Sequence, residues 1–111
     1  MKIIQIEVVE NNKVYDLLIG RNKVENDELI KKSLPNDIWF HLDKLSGPHF
    51  VLKSNGDYLH KKYLNYIASL FREYKTNLPN KYTVIFTEIK HVIRTNTPGE
   101  VIPHHCRKIK I

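Results

Sequence analysis

The chain is poor in cysteine and has no long apolar run. Its only cysteine, Cys106, cannot form an internal disulfide, which is typical of proteins from a reducing compartment. No stretch approaches the roughly 20 apolar residues that a membrane-spanning helix needs, and polar residues interrupt the segment from Met1 to Glu7. We therefore expect a cytoplasmic protein that has no membrane partner.

Acidic residues are scarce in the second half of the chain. The net charge is +6, and residues 53–111 contain eleven basic against four acidic residues, whereas residues 1–52 contain seven against eight. A positive field favours polyanionic partners, although scattered lysines that only keep a small protein soluble would produce the same composition. With 41% hydrophobic and 27% charged residues, we expect one folded domain spanning residues 1–111.

Common signatures of catalytic and metal sites are missing. The chain has no nucleophile elbow, glycine-rich phosphate loop or paired carboxylates, and it lacks the CxxC or HxxxH spacing of a zinc site. His104, His105 and Cys106 are consecutive, and neighbouring residues of a strand point to opposite faces, so at most His104 and Cys106 could converge. We expect neither a metal ion nor a cofactor, and the default interpretation of this segment is a solvated basic tail.

Strand patterns dominate the chain. Alternating, β-branched and aromatic residues predict an N-terminal hairpin, a central hairpin and several later strands, the first of which could continue past residue 87 through a bulge. The predicted strands cover residues 3–9, 14–19, 37–42, 49–53, 82–87, 101–102 and 107–111.

Two segments predict helices. Between residues 22 and 33, either Asn22 or Asn26 could cap a short helix. From Leu59 to Tyr74, apolar residues recur at spacings of three and four, which predicts one amphipathic helix of about five turns with Asp57 as its N-cap. The predicted fold class is α+β, a mostly antiparallel sheet packed against one long amphipathic helix plus a short helix.

The segment Asp37–Leu42 stands out because both of its faces carry an aromatic residue. Asp37, Trp39 and His41 share one face of the predicted strand, and Ile38, Phe40 and Leu42 share the other. A half-buried strand normally has one apolar and one polar face. We assign Ile38, Phe40 and Leu42 to the core and the opposite face to function.

Three kinds of function are compatible with these residues. An RNA-binding surface would use Trp39 and Phe40 for stacking, His41 and His49 as donors, and Lys53, Lys90 and Arg94 for phosphates. Each of these residues could equally belong to the core or to a solvated surface. A small hydrolase or nucleotide-modifying enzyme would use Asp37, His41 and His49 as an acid/base cluster. A protein-docking surface would use the tyrosine stripe of the predicted long helix, which is Tyr63, Tyr66 and Tyr74.

A series of spaced motifs supports the first of these functions. In order along the chain, they are Ile19-Gly20-Arg21-Asn22, Asn26-Asp27-Glu28-Leu29, Asn36 to His41, Gly47 to Leu52, Glu88 to Val92, and the turn at Pro98-Gly99. This series resembles the NFACT-R domain, the RNA-associated module of the ribosome quality-control factors that tag stalled nascent chains. The chain is most similar in plan to a stand-alone NFACT-R domain, and the tagging activity is not carried over.

The resemblance implies that the protein is not an enzyme. It implies that the protein binds RNA, either rRNA or tRNA, in association with the ribosome, and it does not decide whether DNA binds as well. It also implies a role in translation and ribosome-associated quality control. Gly20 and Gly99 are among the positions that match the motifs of the family. The family usually has Gly-Ser-His where this chain has Gly-Pro-His. The residues that we expect to bind RNA are Arg21, Asn22, Asn26, Asp37, Trp39, His41, Gly47, Pro48, His49, Lys53, Lys90 and Arg94.

Overall fold

The computed structural model describes residues 1–111 and contains eight strands and three α-helices. The strands are β1 (Lys2–Val8), β2 (Lys13–Ile19), β3 (Ile38–Leu42), β4 (Phe50–Leu52), β5 (Thr83–Glu88), β6 (Val92–Arg94), β7 (Val101–Pro103) and β8 (Arg107–Lys110). The helices are α1 (Lys23–Lys31), α2 (Lys61–Ser69) and α3 (Phe71–Tyr74). Short 3-10 turns at Val9–Asn11 and Ile89–His91 follow β1 and β5.

Six strands form one sheet in the order β1-β2-β4-β3-β5-β8, and every neighbouring pair is antiparallel. β6 and β7 form a separate two-stranded hairpin. The central hairpin predicted from the sequence is β3 and β4, in which Trp39 pairs with Val51 and Phe40 with Phe50. β3 therefore lies between β4 and β5, inside the sheet.

The prediction of one long amphipathic helix is wrong. Residues 59–74 form the nine-residue α2 and the four-residue α3, separated at Leu70. The hydroxyl of Tyr82 donates to the carbonyl oxygens of Ala68 at 2.9 Å and Ser69 at 3.3 Å, which are the acceptors that a continuous helix would use for its next turn. The amide of Glu73 binds the Leu70 carbonyl instead, so the chain tightens there into a separate turn.

The start of α2 also differs from the prediction. The carboxylate of Asp57 does not cap the helix, because it accepts hydrogen bonds from Lys13 at 2.9 Å and from the Tyr15 hydroxyl at 2.7 Å. Nδ1 of His60 accepts the Lys62 amide instead, and α2 begins at Lys61. None of the three helices is both long enough and apolar enough to cross a bilayer.

Both faces of the sheet are covered, which explains the two aromatic residues of β3. On one face, Phe40 and Leu42 belong to the larger core, where Phe50 stacks on Phe71 of α3 at 3.9 Å between ring centroids. On the other face, Trp39 belongs to a smaller core that is closed by α1 and β6. The residues of this second core are Leu29, Ile30, Trp39, Val51, Ile89 and Val92. Both faces of β3 are therefore mostly buried.

The short helix α1 begins where the sequence indicated. The side chain of Asn22 accepts the backbone N–H of Glu25 at 2.9 Å, so Asn22 and not Asn26 is the N-cap. The carboxylate of Glu25 accepts hydrogen bonds from the backbone and the guanidinium of Arg21. This reciprocal cap fixes the beginning of α1 beside the loop that joins β3 to β4.

Candidate nucleic-acid interface

Trp39 is buried beneath two histidines of the candidate site, His41 and His49, and contacts both. Only 1% of its surface is exposed, so it does not offer the open stacking platform that the sequence suggested. Its indole Nε1–H donates to Nδ1 of His49 at 3.1 Å. Because that nitrogen accepts, the proton of the neutral His49 ring lies on Nε2. Trp39 therefore determines both the orientation and the tautomer of His49.

The loop before β4 is held by a chain of hydrogen bonds. The backbone N–H of His49 donates to Oδ1 of Asn26 at 3.1 Å, and the His49 carbonyl accepts the amide of Gly20 at 3.0 Å. A Cβ on Gly20 would lie 2.0 Å from Asn26 Oδ1, which no side chain could tolerate without a shift. Gly20 is therefore required for the close approach of α1 to this loop.

His41 is the aromatic residue of this face that reaches solvent. Its ring stacks on Trp39 with 5.7 Å between centroids and 4° between planes, and it meets His49 edge-on at 4.7 Å. His41 is half-buried. Its Nδ1–H donates to the Leu42 carbonyl at 2.8 Å, which leaves Nε2 of the neutral ring as an acceptor.

Burial keeps both histidines neutral. Desolvation, and to a smaller extent the proximity of His41, lowers the pKa of His49 to about 3. A hydrogen bond to the backbone of Gly99 acts in the opposite direction and raises this pKa. Desolvation also lowers the pKa of His41. These rings are consequently poor cationic partners for phosphate near neutral pH.

This neutrality predicts a pH-dependent stability. The pKa of His49 is lower in the folded than in the unfolded chain, so the unfolded chain binds the proton first as the pH falls. The stability that the neutral ring contributes is therefore present above about pH 6.5 and is lost as the pH falls toward 3. We expect the free energy of unfolding to fall between pH 6.5 and 5 by up to about 1.4 kcal/mol per pH unit for each neutral histidine. Urea denaturation followed by circular dichroism at several pH values measures this slope.

The chosen pH range separates histidines from carboxylates. Glu10 and Glu25 also have lowered pKa values, because Tyr63 and Arg21 hydrogen-bond to them, but their contribution is lost only below about pH 4.5. His104→Gln is the control, since His104 is exposed and only its backbone forms hydrogen bonds. A free energy of unfolding that stays constant from pH 7.5 to 5 would contradict the assignment of His41 and His49 as neutral buried rings.

Two adjoining cavities surround the loop that joins β3 to β4. Their volumes are about 540 and 460 Å³, and both are lined by Lys23, Asn26, Ser46 and Gly47. We call the two together the loop cleft. Eight of the predicted RNA-binding residues line it: Arg21, Asn22, Asn26, Trp39, His41, Gly47, Pro48 and His49.

Most of the basic residues singled out from the sequence are already paired with carboxylates. Arg94 binds Asp27 through Nε at 2.9 Å and Nη2 at 3.2 Å, and Arg21 binds Glu25 at 2.8 Å. Lys90 lies 3.7 Å from Glu88. These pairs offset much of the positive charge that a phosphate would otherwise meet.

Three other lysines line the loop cleft without a carboxylate partner. Lys23 begins α1, Lys44 lies in the loop, and Lys75 follows α3. The Cδ atom of Lys75 comes within 3.7 Å of where a Cβ on Gly47 would be. Sequence analysis missed these lysines: Lys23 could have been found beside the predicted Asn22 cap, but Lys75 approaches the loop only through the fold.

Asp37 and Lys53 lie away from the loop cleft. Asp37 is 0% exposed and forms a salt bridge with Lys53. Its carboxylate also accepts the backbone amides of Leu34 at 2.8 Å and Asn55 at 2.9 Å. The hypothesis that Asp37 orients a histidine is wrong, because its partners belong to the two turns at the other end of β3.

The alternative functions find less support in the geometry. The acid/base cluster of Asp37, His41 and His49 does not form, and no three His, Cys, Asp or Glu side chains are placed to hold a metal ion together. Of the tyrosine stripe, Tyr63 bonds to Glu10 and Tyr74 packs against Phe50, whereas Tyr66 is 53% exposed. A docking surface would therefore have one exposed tyrosine and not three.

Comparison with known proteins assigns the family. Residues 5–110 match the model of the NFACT protein RNA binding domain. The chain belongs to this family. The family is described as an RNA-binding domain, and the chain is accordingly an RNA-binding module.

Relatives match shorter segments. Coiled-coil domain-containing protein 25 of Bos taurus is 49% identical over 43 residues, which is 39% of this chain and 21% of the bovine protein. Protein JLP2 of Saccharomyces cerevisiae is 49% identical over 41 residues, which is 35% of this chain and 20% of the yeast protein. The matched segments thus span about a fifth of the length of these relatives.

A solved structure shares the fold. The C-terminal part of the fibronectin/fibrinogen-binding protein from Streptococcus suis superposes with a TM-score of 0.80, covering 96% of this chain and 44% of that chain. The sequence identity is 24%, so the likeness concerns the fold alone. The same fold therefore occurs in that bacterial protein.

Proposed function

We propose that this NFACT RNA-binding domain binds rRNA or tRNA in association with the ribosome, in the cytoplasm, and that the loop cleft is its RNA-binding site. One observation carries the placement: Lys23, Lys44 and Lys75 converge on the loop cleft without carboxylate partners. Nine of the eighteen lysine and arginine side chains are paired with carboxylates, whereas these three lysines stay free to contact phosphates.

The cleft also suits RNA by its shape and by its other polar groups. The N-terminal end of α1 opens into it, and backbone N–H groups at a helix N-terminus attract anions. His41 stands half-exposed at the cleft, where its Nε2 can accept a hydrogen bond from a ribose hydroxyl or a base. In this proposal the lysines contact phosphates, His41 contacts a nucleoside, and Trp39 acts only by supporting the two histidines.

A charge-matched pair of triple variants tests the proposal. Lys23→Gln/Lys44→Gln/Lys75→Gln is expected to weaken tRNA binding at least tenfold at low salt and to reduce the slope of log affinity against log salt by about 2 to 3, since about 0.7 to 0.9 counterions are released per phosphate contact. Filter binding between about 50 and 200 mM KCl measures both quantities.

The control triple removes the same charge from other places. Lys61, Lys81 and Lys110 are exposed, have no carboxylate partner and do not line the loop cleft. Lys61→Gln/Lys81→Gln/Lys110→Gln should keep most of the affinity. Equal losses for the two triples would contradict a localised site, and repeating the titration with duplex DNA decides whether the cleft discriminates against DNA. Cosedimentation with ribosomes tests the proposed association.

A further inference from the structure

A second cavity lies at the opposite end of the sheet. Its volume is about 410 Å³, and it shares no lining residue with the loop cleft. The cavity adjoins the start of β3 and the end of β5, where Ile38 pairs with Glu88, whereas the loop cleft adjoins His41 and Ile85, three residues further along the two strands. We call it the sheet-end cavity.

A buried hydroxyl without a partner lines the sheet-end cavity. Ser54 is 2% exposed, and its Oγ is the one buried side-chain nitrogen or oxygen in the protein that forms no hydrogen bond. Buried polar groups are nearly always hydrogen-bonded, because leaving one unsatisfied destabilises the fold. No group of the protein satisfies this hydroxyl, which points to a ligand that bonds to it.

Nitrogen donors surround the same cavity. The rings of His91 and His105 meet edge-on with 4.7 Å between their centroids. The backbone of His105 has a φ of 54°, which residues other than glycine rarely adopt. Arg107 of β8 places its guanidinium 4.9 Å from the ring centroid of Phe86 and has no carboxylate partner. An exposed guanidinium beside two imidazoles is suited to a phosphate group.

The remaining walls of the cavity suit a flat ring and its hydroxyl groups. Ile38, Leu59 and Phe86 provide an apolar surface, and the ring of Tyr58, 79% exposed, stands at the entrance. Aromatic rings exposed in this way stack on nucleobases. The Glu88 carboxylate, 3.7 Å from the Lys90 ammonium, can accept hydrogen bonds from ribose hydroxyls.

We propose that the sheet-end cavity binds one nucleoside 5′-monophosphate unit, with the phosphate at Arg107 and His105, the base against Tyr58, and a polar atom of the nucleoside on the Ser54 hydroxyl. The unit is either a free nucleotide or an unpaired nucleotide of an RNA strand. The inference is independent of the loop cleft, because the two sites have no residue in common.

Titration of the whole chain with AMP, GMP, CMP and UMP, followed by amide NMR, tests the proposal. At least one nucleotide should shift the resonances of Ser54, Tyr58 and His105 and leave those of Lys44 and Gly47 in place. A single-stranded oligoribonucleotide that shifts the same resonances at lower concentration identifies RNA as the source, and free nucleotides that bind better identify a small-molecule site. Absence of these shifts at millimolar nucleotide overturns the proposal.

Two variants and two further probes sharpen the test. Arg107→Gln should raise the dissociation constant about tenfold, and Ser54→Ala about fivefold without lowering the midpoint of urea denaturation. Lys110→Gln, which removes the same charge from the same strand, should change neither quantity. Unchanged binding by Arg107→Gln would overturn the phosphate assignment. Inorganic phosphate that binds as tightly as the nucleotides, or adenosine that does, would overturn the combined site.

Discussion

Replacing Trp39 by alanine is expected to lower the free energy of unfolding by about 3 to 5 kcal/mol, the usual cost of truncating a large buried aromatic side chain. Trp39 fills the smaller core between the sheet, α1 and β6, and it donates the hydrogen bond that orients His49. Because a domain of this size has a total stability of about 5 to 15 kcal/mol, the variant should be only marginally folded. Urea denaturation followed by circular dichroism measures the loss.

Trp39→Phe separates packing from hydrogen bonding. Phenylalanine keeps a ring in the core but has no N–H for Nδ1 of His49, so a smaller loss of about 1 to 2 kcal/mol is expected. If the role of Trp39 is to support the loop cleft, this folded variant should bind RNA more weakly through misplacement of His41 and His49. Wild-type stability of Trp39→Ala would contradict the burial of the indole.

Replacing Asp37 by alanine is expected to destabilise the protein by about 3 kcal/mol, at the low end of the range for breaking a buried ion pair. The variant removes the acceptor for the Leu34 and Asn55 amides and leaves Lys53 without its partner. Lys53 is 26% exposed and can turn toward water, which moderates the loss. Urea denaturation at neutral pH measures the effect.

Two further variants interpret that result. Asp16→Ala removes an exposed carboxylate from β2 and should change the free energy of unfolding by no more than about 0.5 kcal/mol. Asp37→Asn retains one oxygen acceptor and should lose less stability than alanine. If the folded Asp37→Asn protein binds RNA as tightly as the wild type, Asp37 is a structural residue; a lower affinity would support the sequence-based prediction that it contacts RNA.

Local signals in the sequence predicted the strands well. Turn residues and β-branched runs mark β1 to β5 within one or two residues, and Asn22 followed by Glu25 identifies the cap of α1. These features succeed because their causes lie within a few residues of each other: a capping side chain reaches only its own helix, and a turn depends on its own φ angles. The motif series is equally local, and it led to the family that residues 5–110 match.

The helix break and the role of β3 required the fold. The stripe from Leu59 to Tyr74 is continuous in sequence, but the hydroxyl of Tyr82, just before β5, hydrogen-bonds to the carbonyls of Ala68 and Ser69. Likewise, the residues of β3 do not indicate that β6 and β7 fold back beside α1. The sequence therefore assigns Trp39 to a functional surface, whereas in the structure it lies in the smaller core. Long-range contacts overrode a correct local pattern in both cases.

Only the motif residues of the candidate site could be predicted from the sequence, because its basic residues depend on long-range contacts. Asn26, His41 and His49 were found because they belong to short motifs, and the structure brings all three to the loop cleft. The basic residues chosen from the sequence are mostly paired, whereas Lys44 and Lys75 are not. Whether a lysine has a carboxylate partner depends on which distant side chain lies beside it, and composition does not contain that information.

The burial of Trp39 has an optical consequence. As the chain contains no other tryptophan, its indole fluorescence originates from this one ring. That ring stacks on His41 and bonds to His49, so it lies in the smaller core and borders the loop cleft at the same time. The protein thus carries a built-in chromophore that reports both the integrity of its second core and events in the cleft, without any added label.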